Sequence, residues 1–258
     1  MPFISPQDFA KEKIAALQEY SLLSGRALGN IFSRPRYWAD IYTQMDAIGV
    51  GSFPIVVLTG FFTGCVLALQ SATALRDFGA ISKTGTLVAL SMVKELGPVL
   101  TGLMVSGRNA SGMASELGSM KVTEQIDAMR ALGTDPVRKL VTPRIFATVF
   151  MLFFLTILSD AVGIAGGALV SVTMLGLNAT TYLHTSYRDL VYPDIVQGLT
   201  KPLFFGFIIA SVGCYFGMNT SGGTQGVGRS TTQAVVVSSV FIIVVDFLLS
   251  RAMIGIFQ

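Results

Sequence analysis

Ionisable side chains set inside apolar sequence are the places where this chain could do chemistry. Lys94 and Glu95 interrupt the apolar run 86–107, Asp160 stands within 145–175, and Asp246 and Arg251 lie within 234–257. A charge near mid-bilayer costs about 2.5–3.5 kcal/mol on insertion scales, so each of these groups needs a partner, a wet cavity or a function. Nucleotide chemistry is a second candidate. "GTQGVGRST" (223–231) comes within one residue of a phosphate-binding loop, and "FIIVVD" (241–246) follows it like the metal-binding strand such loops use. A working loop follows a strand and carries Lys. Here Arg229 holds that position, the two cations are not interchangeable at a tight site, and the flanking sequence is long, apolar and helical in pattern. The loop reads as a glycine-rich turn between helices, and the chain is not itself an ATPase. His184 is the single histidine, and Cys65 and Cys214 lie within apolar runs as small packed residues. No acid, base and metal constellation for an enzyme acting on lipids emerges.

The elements that must position these groups follow from composition. Of 258 residues, 52% are hydrophobic and 13% charged, which points to a membrane. A run of about 20 apolar residues suffices to cross the hydrocarbon core as a helix. Five runs qualify: 48–75, 86–107, 145–175, 203–218 if 195–202 joins it, and 234–257. The expected fold is an all-α integral membrane protein with an N-terminal interfacial amphipathic helix, five transmembrane helices, and a cytoplasmic coupling helix between spans 2 and 3. The chain divides into a cytoplasmic or interfacial segment, 1–47, and a five-span domain, 48–258.

Charge sets the orientation. Twelve Lys and Arg residues fall on one face, and Arg76, Lys83, Arg188, Lys201 and Arg251 on the other. The N-terminus is therefore expected in the cytoplasm and the C-terminus in the periplasm. Asp8, Lys11, Glu12, Lys13 and Glu19 argue against a cleaved leader. Ile14, Leu17, Leu28 and Ile31 share a stripe that suits a helix in the headgroup layer, with a soluble helix packed on the rest as the alternative. Arg34, Arg36, Tyr37, Trp38 and Tyr42 form a basic and aromatic belt before the first span.

Between spans 2 and 3, Val122, Ile126, Met129 and Leu132 fall on one helical face, Glu124 and Asp127 on the opposite one, and Gly133 and Pro136 stop the helix. A docking element and a connector packed on the chain's own spans both fit this pattern. Adjacent helical residues point about 100° apart, so Lys94 and Glu95 do not simply pair with each other. Pro98, after Gly97, kinks the helix beside them. Asp160 beside Ser159, and Asp246 one turn before Ser250, read first as structural hydrogen-bonding groups between helices. The pairs Gly60 and Gly64, Gly163 and Gly167, and Gly213 and Gly217 permit close helix contact without saying which helices touch.

Four stretches together resemble the MlaE family of ABC-transporter permeases: "VALSMVKELGPVLTGLMVSGR" (88–108), "SELGSMKVTEQIDAMRALGTDP" (115–136), "LVTPR" (140–144) and "GVGRSTTQAVV" (226–236). The likeness covers nearly the whole chain from about residue 48. It implies a homodimer in the bacterial inner membrane, two copies of a cytoplasmic ABC ATPase subunit, a periplasmic MCE-domain ring protein, and room for a small accessory subunit on the ATPase. It implies transport of lipid, chiefly phospholipid, between inner and outer membranes, contributing to outer-membrane lipid asymmetry. ATP and Mg would belong to the partner ATPase, with no cofactor and no metal bound by this chain, and no nucleic acid is involved. Carried over by register, Leu67, Leu75, Phe78, Lys94 and Glu95 would line the lipid cavity, and Glu124, Gln125, Asp127 and Arg130 would contact the ATPase. Acyl chains would meet the apolar wall and a headgroup the charged pair. Some family members carry Arg where Lys94 stands, so the charge is kept and bidentate phosphate recognition is lost. A secondary transporter working without an ATPase is the alternative; such proteins commonly show paired halves, and five spans without a visible repeat do not divide that way.

Overall fold

The computed structural model describes residues 6–31 and 37–257, and these are helical apart from short connections. In chain order the helices are α1 (Pro6–Ile31), α2 (Trp38–Arg76), α3 (Ile81–Val122), α4 (Gln125–Ala131), α5 (Val137–Thr173), α6 (Ala179–Arg188), α7 (Tyr192–Met218) and α8 (Gly223–Phe257). Five of them, α2, α3, α5, α7 and α8, are long and apolar enough to cross a membrane. The protein is an all-α integral membrane protein, as the run lengths require.

The fourth apolar run proves longer than its hydropathy peak. α7 begins at Tyr192 and carries Pro202 inside it, so 195–202 joins 203–218. Lys201, counted above among the charges of the external face, is instead fully buried within this span. Hydropathy counts the ammonium as water-loving, whereas the folded chain surrounds it with carboxylates. The first span also extends, because α2 starts at Trp38 and runs through the 47/48 boundary. Trp38 and Tyr42 are exposed on its opening turns, and Lys139 pairs with Asp40 while lying 4.4 Å over the Tyr37 ring. Arg34 and Arg36 lie outside the described residues.

Glycine contacts decide which helices meet. A Cβ on Gly64 would fall on the carbonyl oxygen of Gly163, and one on Gly60 would lie 2.9 Å from the carbonyl oxygen of Ser159. The first two glycine pairs therefore seat α2 directly on α5. Gly213 and Gly217 of α7 bring that helix against Ala110 and Leu117 of α3, at 3.1 and 2.7 Å from their would-be Cβ atoms. In lipid, helices gain little from hydrophobic burial, so small residues that admit close van der Waals contact decide the pairing. α8 is the least covered span, with 17% of its most apolar stretch buried.

α1 rests on the bundle through Ala27 and through Tyr20, whose hydroxyl is 2.8 Å from that of Ser211. Ile14, Leu17 and Leu28 stay exposed, while the Ile31 side chain lies outside the described residues. At the opposite end, α6 is pinned to the start of α3 by Asp189, which accepts from Lys83 at 3.0 Å and Thr86 at 2.8 Å.

The segment between the second and third spans differs from the single stripe drawn from the sequence. α3 ends at Val122, Glu124 takes a left-handed conformation with φ of 59°, and α4 starts at Gln125. That reversal places Val122 on a different helix from the rest. Ile126 is fully buried, Met129 half-buried and Leu132 83% exposed. Gly133, with φ of 77°, stops α4 in a conformation that costs glycine little.

Candidate functional site

The site forms where α3 departs from regular helical geometry. Residues Met92–Leu96 form one turn of π-type helix just before Gly97 and Pro98. Such a turn carries one residue more than an α-turn and re-aims the side chains on it. Lys94 and Glu95 both reach α7 from this bulge. The Lys94 Nζ donates to Asp194 Oδ1 at 2.8 Å, and the Lys201 Nζ donates to Glu95 Oε2 at 2.5 Å. Asp194 and Lys201 are seven residues apart, so they share one face of α7. The other oxygen of Asp194 accepts the Val191 N–H at 3.2 Å and caps the helix.

α8 completes the cluster. Asp246 Oδ1 lies 2.8 Å from Lys201 Nζ, as an ion pair without hydrogen-bond alignment. Ser250 Oγ donates to Glu95 Oε1 at 3.0 Å. Asp246 and Ser250 thus each make a contact to another helix, Asp246 to Lys201 of α7 and Ser250 to Glu95 of α3. One side of the cluster is closed, with Lys201 fully buried and Asp194 10% exposed; the other is open, with Lys94 34% and Glu95 43% exposed. Asp194 and Lys201 were not singled out from sequence. Their signal was a Lys directly before Pro202, in a run that reaches spanning length only if that Lys is included.

The remaining candidates are distributed unevenly around this centre. Leu67 is half-buried and packs on the cluster of Ala68, Val88, Met92 and Val170, so it touches the bulge's own neighbourhood. Leu75 is half-buried near the end of α2, and Phe78, in the turn that follows, is 84% exposed. Asp160 is buried in the space left by the missing side chain of Gly97, with Oδ1 lacking a hydrogen-bond partner. Ser159, next to it, faces Gly60 of α2 instead. The "FIIVVD" segment is helical throughout, within α8.

On the face carrying α4, Asp127 pairs with Lys121 at 2.9 Å and with Arg130 at 3.1 Å. The Gln125 side chain donates to the Thr123 hydroxyl at 3.0 Å, and Glu124 is exposed at the left-handed turn. Arg130 also borders a cavity of about 290 Å³ with Glu19, Arg26, Tyr215 and Asn219. The Lys121 hydrogen bond, helped by the charges of Lys121 and Arg130, holds the Asp127 carboxyl below its usual range. A lowered folded value means these contacts stabilise α4 above the ordinary carboxylate pKa of about 3.9 and are lost as pH falls through the folded value. Amide protection factors over 125–131, measured by hydrogen exchange, should therefore stay constant from pH 8 to 5 and fall only in stronger acid. A fall beginning near pH 6 would contradict this arrangement.

Comparison with known proteins agrees with the geometry. The family described as Permease MlaE matches residues 41–252. The chain is 44% identical over 232 residues to a "Probable ABC transporter permease protein" of Rickettsia felis, covering 90% of each. It is 35% identical over 235 residues to the "Intermembrane phospholipid transport system permease protein MlaE" of Haemophilus influenzae, covering 91% of this chain and 90% of that one. It is also 37% identical over 229 residues to the chloroplastic protein TRIGALACTOSYLDIACYLGLYCEROL 1 of Arabidopsis thaliana, covering 89% of this chain and 65% of that one. The matched stretch takes in the bulge on α3, the whole of α4, and Asp194, Lys201 and Asp246. The chain belongs to the MlaE permease family.

Proposed function

We propose that this chain is the permease subunit of an ATP-driven transporter that moves phospholipid between the inner and outer membranes and so contributes to outer-membrane lipid asymmetry. The observation that carries this reading is the half-open charged cluster of Lys94, Glu95, Asp194, Lys201 and Asp246 inside otherwise apolar spans. Charges facing only hydrocarbon are costly. A lipid headgroup drawn into the open side would meet polar partners while its acyl chains stayed on apolar walls. Leu67, packed beside the bulge, supplies the nearest such wall; Leu75 and Phe78 extend it toward the α6 end.

In this reading the chain is a multi-pass inner-membrane protein with its N-terminus in the cytoplasm and C-terminus in the periplasm. Two copies pair through their poorly covered α8 helices and enclose the cavity. An ABC ATPase subunit docks on each copy at α4, through Glu124, Gln125, Asp127 and Arg130, with the exposed Leu132 beside them. ATP and Mg act in that partner, which has room for a small accessory subunit. A ring of MCE domains covers the α6 face. Coupling is mechanical, since α4 follows α3 after two residues and about 40 Å of helix separates Val122 from Glu95 at 1.5 Å per residue. A push on α4 is thereby delivered to the bulge, where Lys94 and Glu95 hold α7. The Haemophilus relative's name, an intermembrane phospholipid transport permease, supports the substrate class.

Glu95→Gln tests the site within the assembled complex. It removes a charge while keeping side-chain size and one acceptor, so assembly should survive. Phospholipid transfer between donor and acceptor vesicles should fall by about tenfold or more, as expected for losing one charge-assisted contact. Unchanged transfer would remove Glu95 from the mechanism, and transfer persisting without any ATPase subunit would favour the secondary-transporter alternative.

A further inference from the structure

α4 leans on the last turns of α3, with Ile126 fully buried there. The stretch 111–122 of α3 packs in turn against α7 and α8, with little direct packing on α5. Gly217 of α7 seats it, since a Cβ there would lie 2.7 Å from that of Leu117. α5 belongs to a different seam. It is held by α2 at Gly64 and Gly163, and by α7 at Gly206, whose would-be Cβ lies 2.7 Å from the Val149 Cα. An ion pair ties the end of α3 to the start of α5. Arg144 places Nη2 2.8 Å from Glu116 Oε1 of α3, and its Nη1 donates to the Leu140 carbonyl oxygen at 2.7 Å. Leu140 belongs to the π-type turn Val137–Val141 that opens α5.

Stability alone is a poor reason for such a pair. Arg144 is 4% exposed and its Nε lacks a hydrogen-bond partner, whereas Glu116 is 56% exposed. A buried guanidinium that is incompletely satisfied holds helices together less well than an apolar side chain of similar size would. What it supplies is resistance to slipping. Drawing the end of α3 away from α5 would strand the buried charge, while packed apolar helices can shear past each other. We infer that Arg144 and Glu116 are positioning residues that carry a movement of α4 from α3 into α5, and through the glycine seam into α2. This rests on the ATP-driven reading above and adds how the stroke reaches the second pair of spans. Lys94 and Glu95 ride on α3, and Leu67 on α2. The joint makes the charged and apolar sides of the proposed cavity move together.

The test uses the complex reconstituted with its ATPase and ring partners, with ATP hydrolysis and phospholipid transfer to acceptor vesicles measured on the same preparation. Arg144→Met combined with Glu116→Gln removes both charges while keeping side-chain length, so the complex should assemble. Hydrolysis should persist, and lipid transferred per ATP should fall about tenfold, the scale of one charged hydrogen bond. Arg144→Lys keeps the charge without the fork that holds Leu140 and Glu116 at once, and should fall between. An unchanged ratio of lipid to ATP in the double variant, whether both rates hold or both fall, would overturn the inference and leave an ATP-driven permease standing. Failure of the double variant to assemble would overturn it too, by making the pair a structural bond. Wild-type transfer that proceeds equally without ATP would overturn the ATP-driven reading and this inference with it.

Discussion

Lys201→Ala should cost about 3–5 kcal/mol of stability, the loss seen when one partner of a buried ion pair is removed and the other is left uncompensated. Here one ammonium, fully buried, serves Glu95 of α3 and Asp246 of α8 from its place on α7. Without it the carboxylates of Glu95 and Asp246 are left beside each other with no shared cation, and three spans lose their common contact. The variant should unfold at a much lower temperature in detergent and should not transport lipid. Replacing the whole group, as Glu95→Gln, Lys201→Met and Asp246→Asn together, removes the uncompensated charges and should recover most of the stability, but none of the transport. That split separates the two roles of the cluster, since holding the helices together needs no charge and reading a headgroup does. A Lys201→Ala protein as stable as wild type would mean that the ammonium is not shared between those carboxylates.

Gly64→Val should have an effect of similar size through packing alone. The added Cβ would occupy the position of the Gly163 carbonyl oxygen, a backbone atom that cannot swing aside as a flexible side chain would. α2 and α5 must then separate along their main seam, and overpacking of this kind costs about 1–3 kcal/mol, or more where the backbone itself has to move. The damage should also reach the site. A Cβ on Gly163 would meet Met92 Cε, and Met92 opens the bulge that carries Lys94 and Glu95, so a displaced α5 loses its grip on that turn. The measurement is the yield of monodisperse protein extracted in mild detergent and its unfolding temperature. Gly25→Ala, on α1 where nothing lies within 4 Å, is the control that should leave both unchanged. Wild-type behaviour of Gly64→Val would refute the drawn contact between α2 and α5.

What the sequence determined by itself was the set of properties that add up locally. Hydropathy over about 20 residues is a sum along the chain, so five spans were legible while their ends were not, and the start of α7 stayed conditional because Lys201 weighs against burial until its partners are known. Lys94 and Glu95 were legible as costly groups for the same reason, since the cost of burying a charge belongs to the residue that bears it. The glycine spacings likewise announced close contacts. Tertiary structure alone decided who meets whom. Gly64 finds Gly163, and Lys94 and Glu95 find partners about a hundred or more residues away in Asp194, Lys201 and Ser250. Those choices turn on the π-type turn at Met92–Leu96, whose extra residue changes which face of α3 the two charges share, a departure that period counting cannot register. The left-handed Glu124 breaks the apparent stripe of Val122, Ile126, Met129 and Leu132 in the same way. Ser250 bonds Glu95 across helices instead of the Asp246 one turn away because a carboxylate already shared with Lys201 has been brought within its reach. Local sums survive folding, whereas pairings depend on the one packing in which all the spans fit together at once.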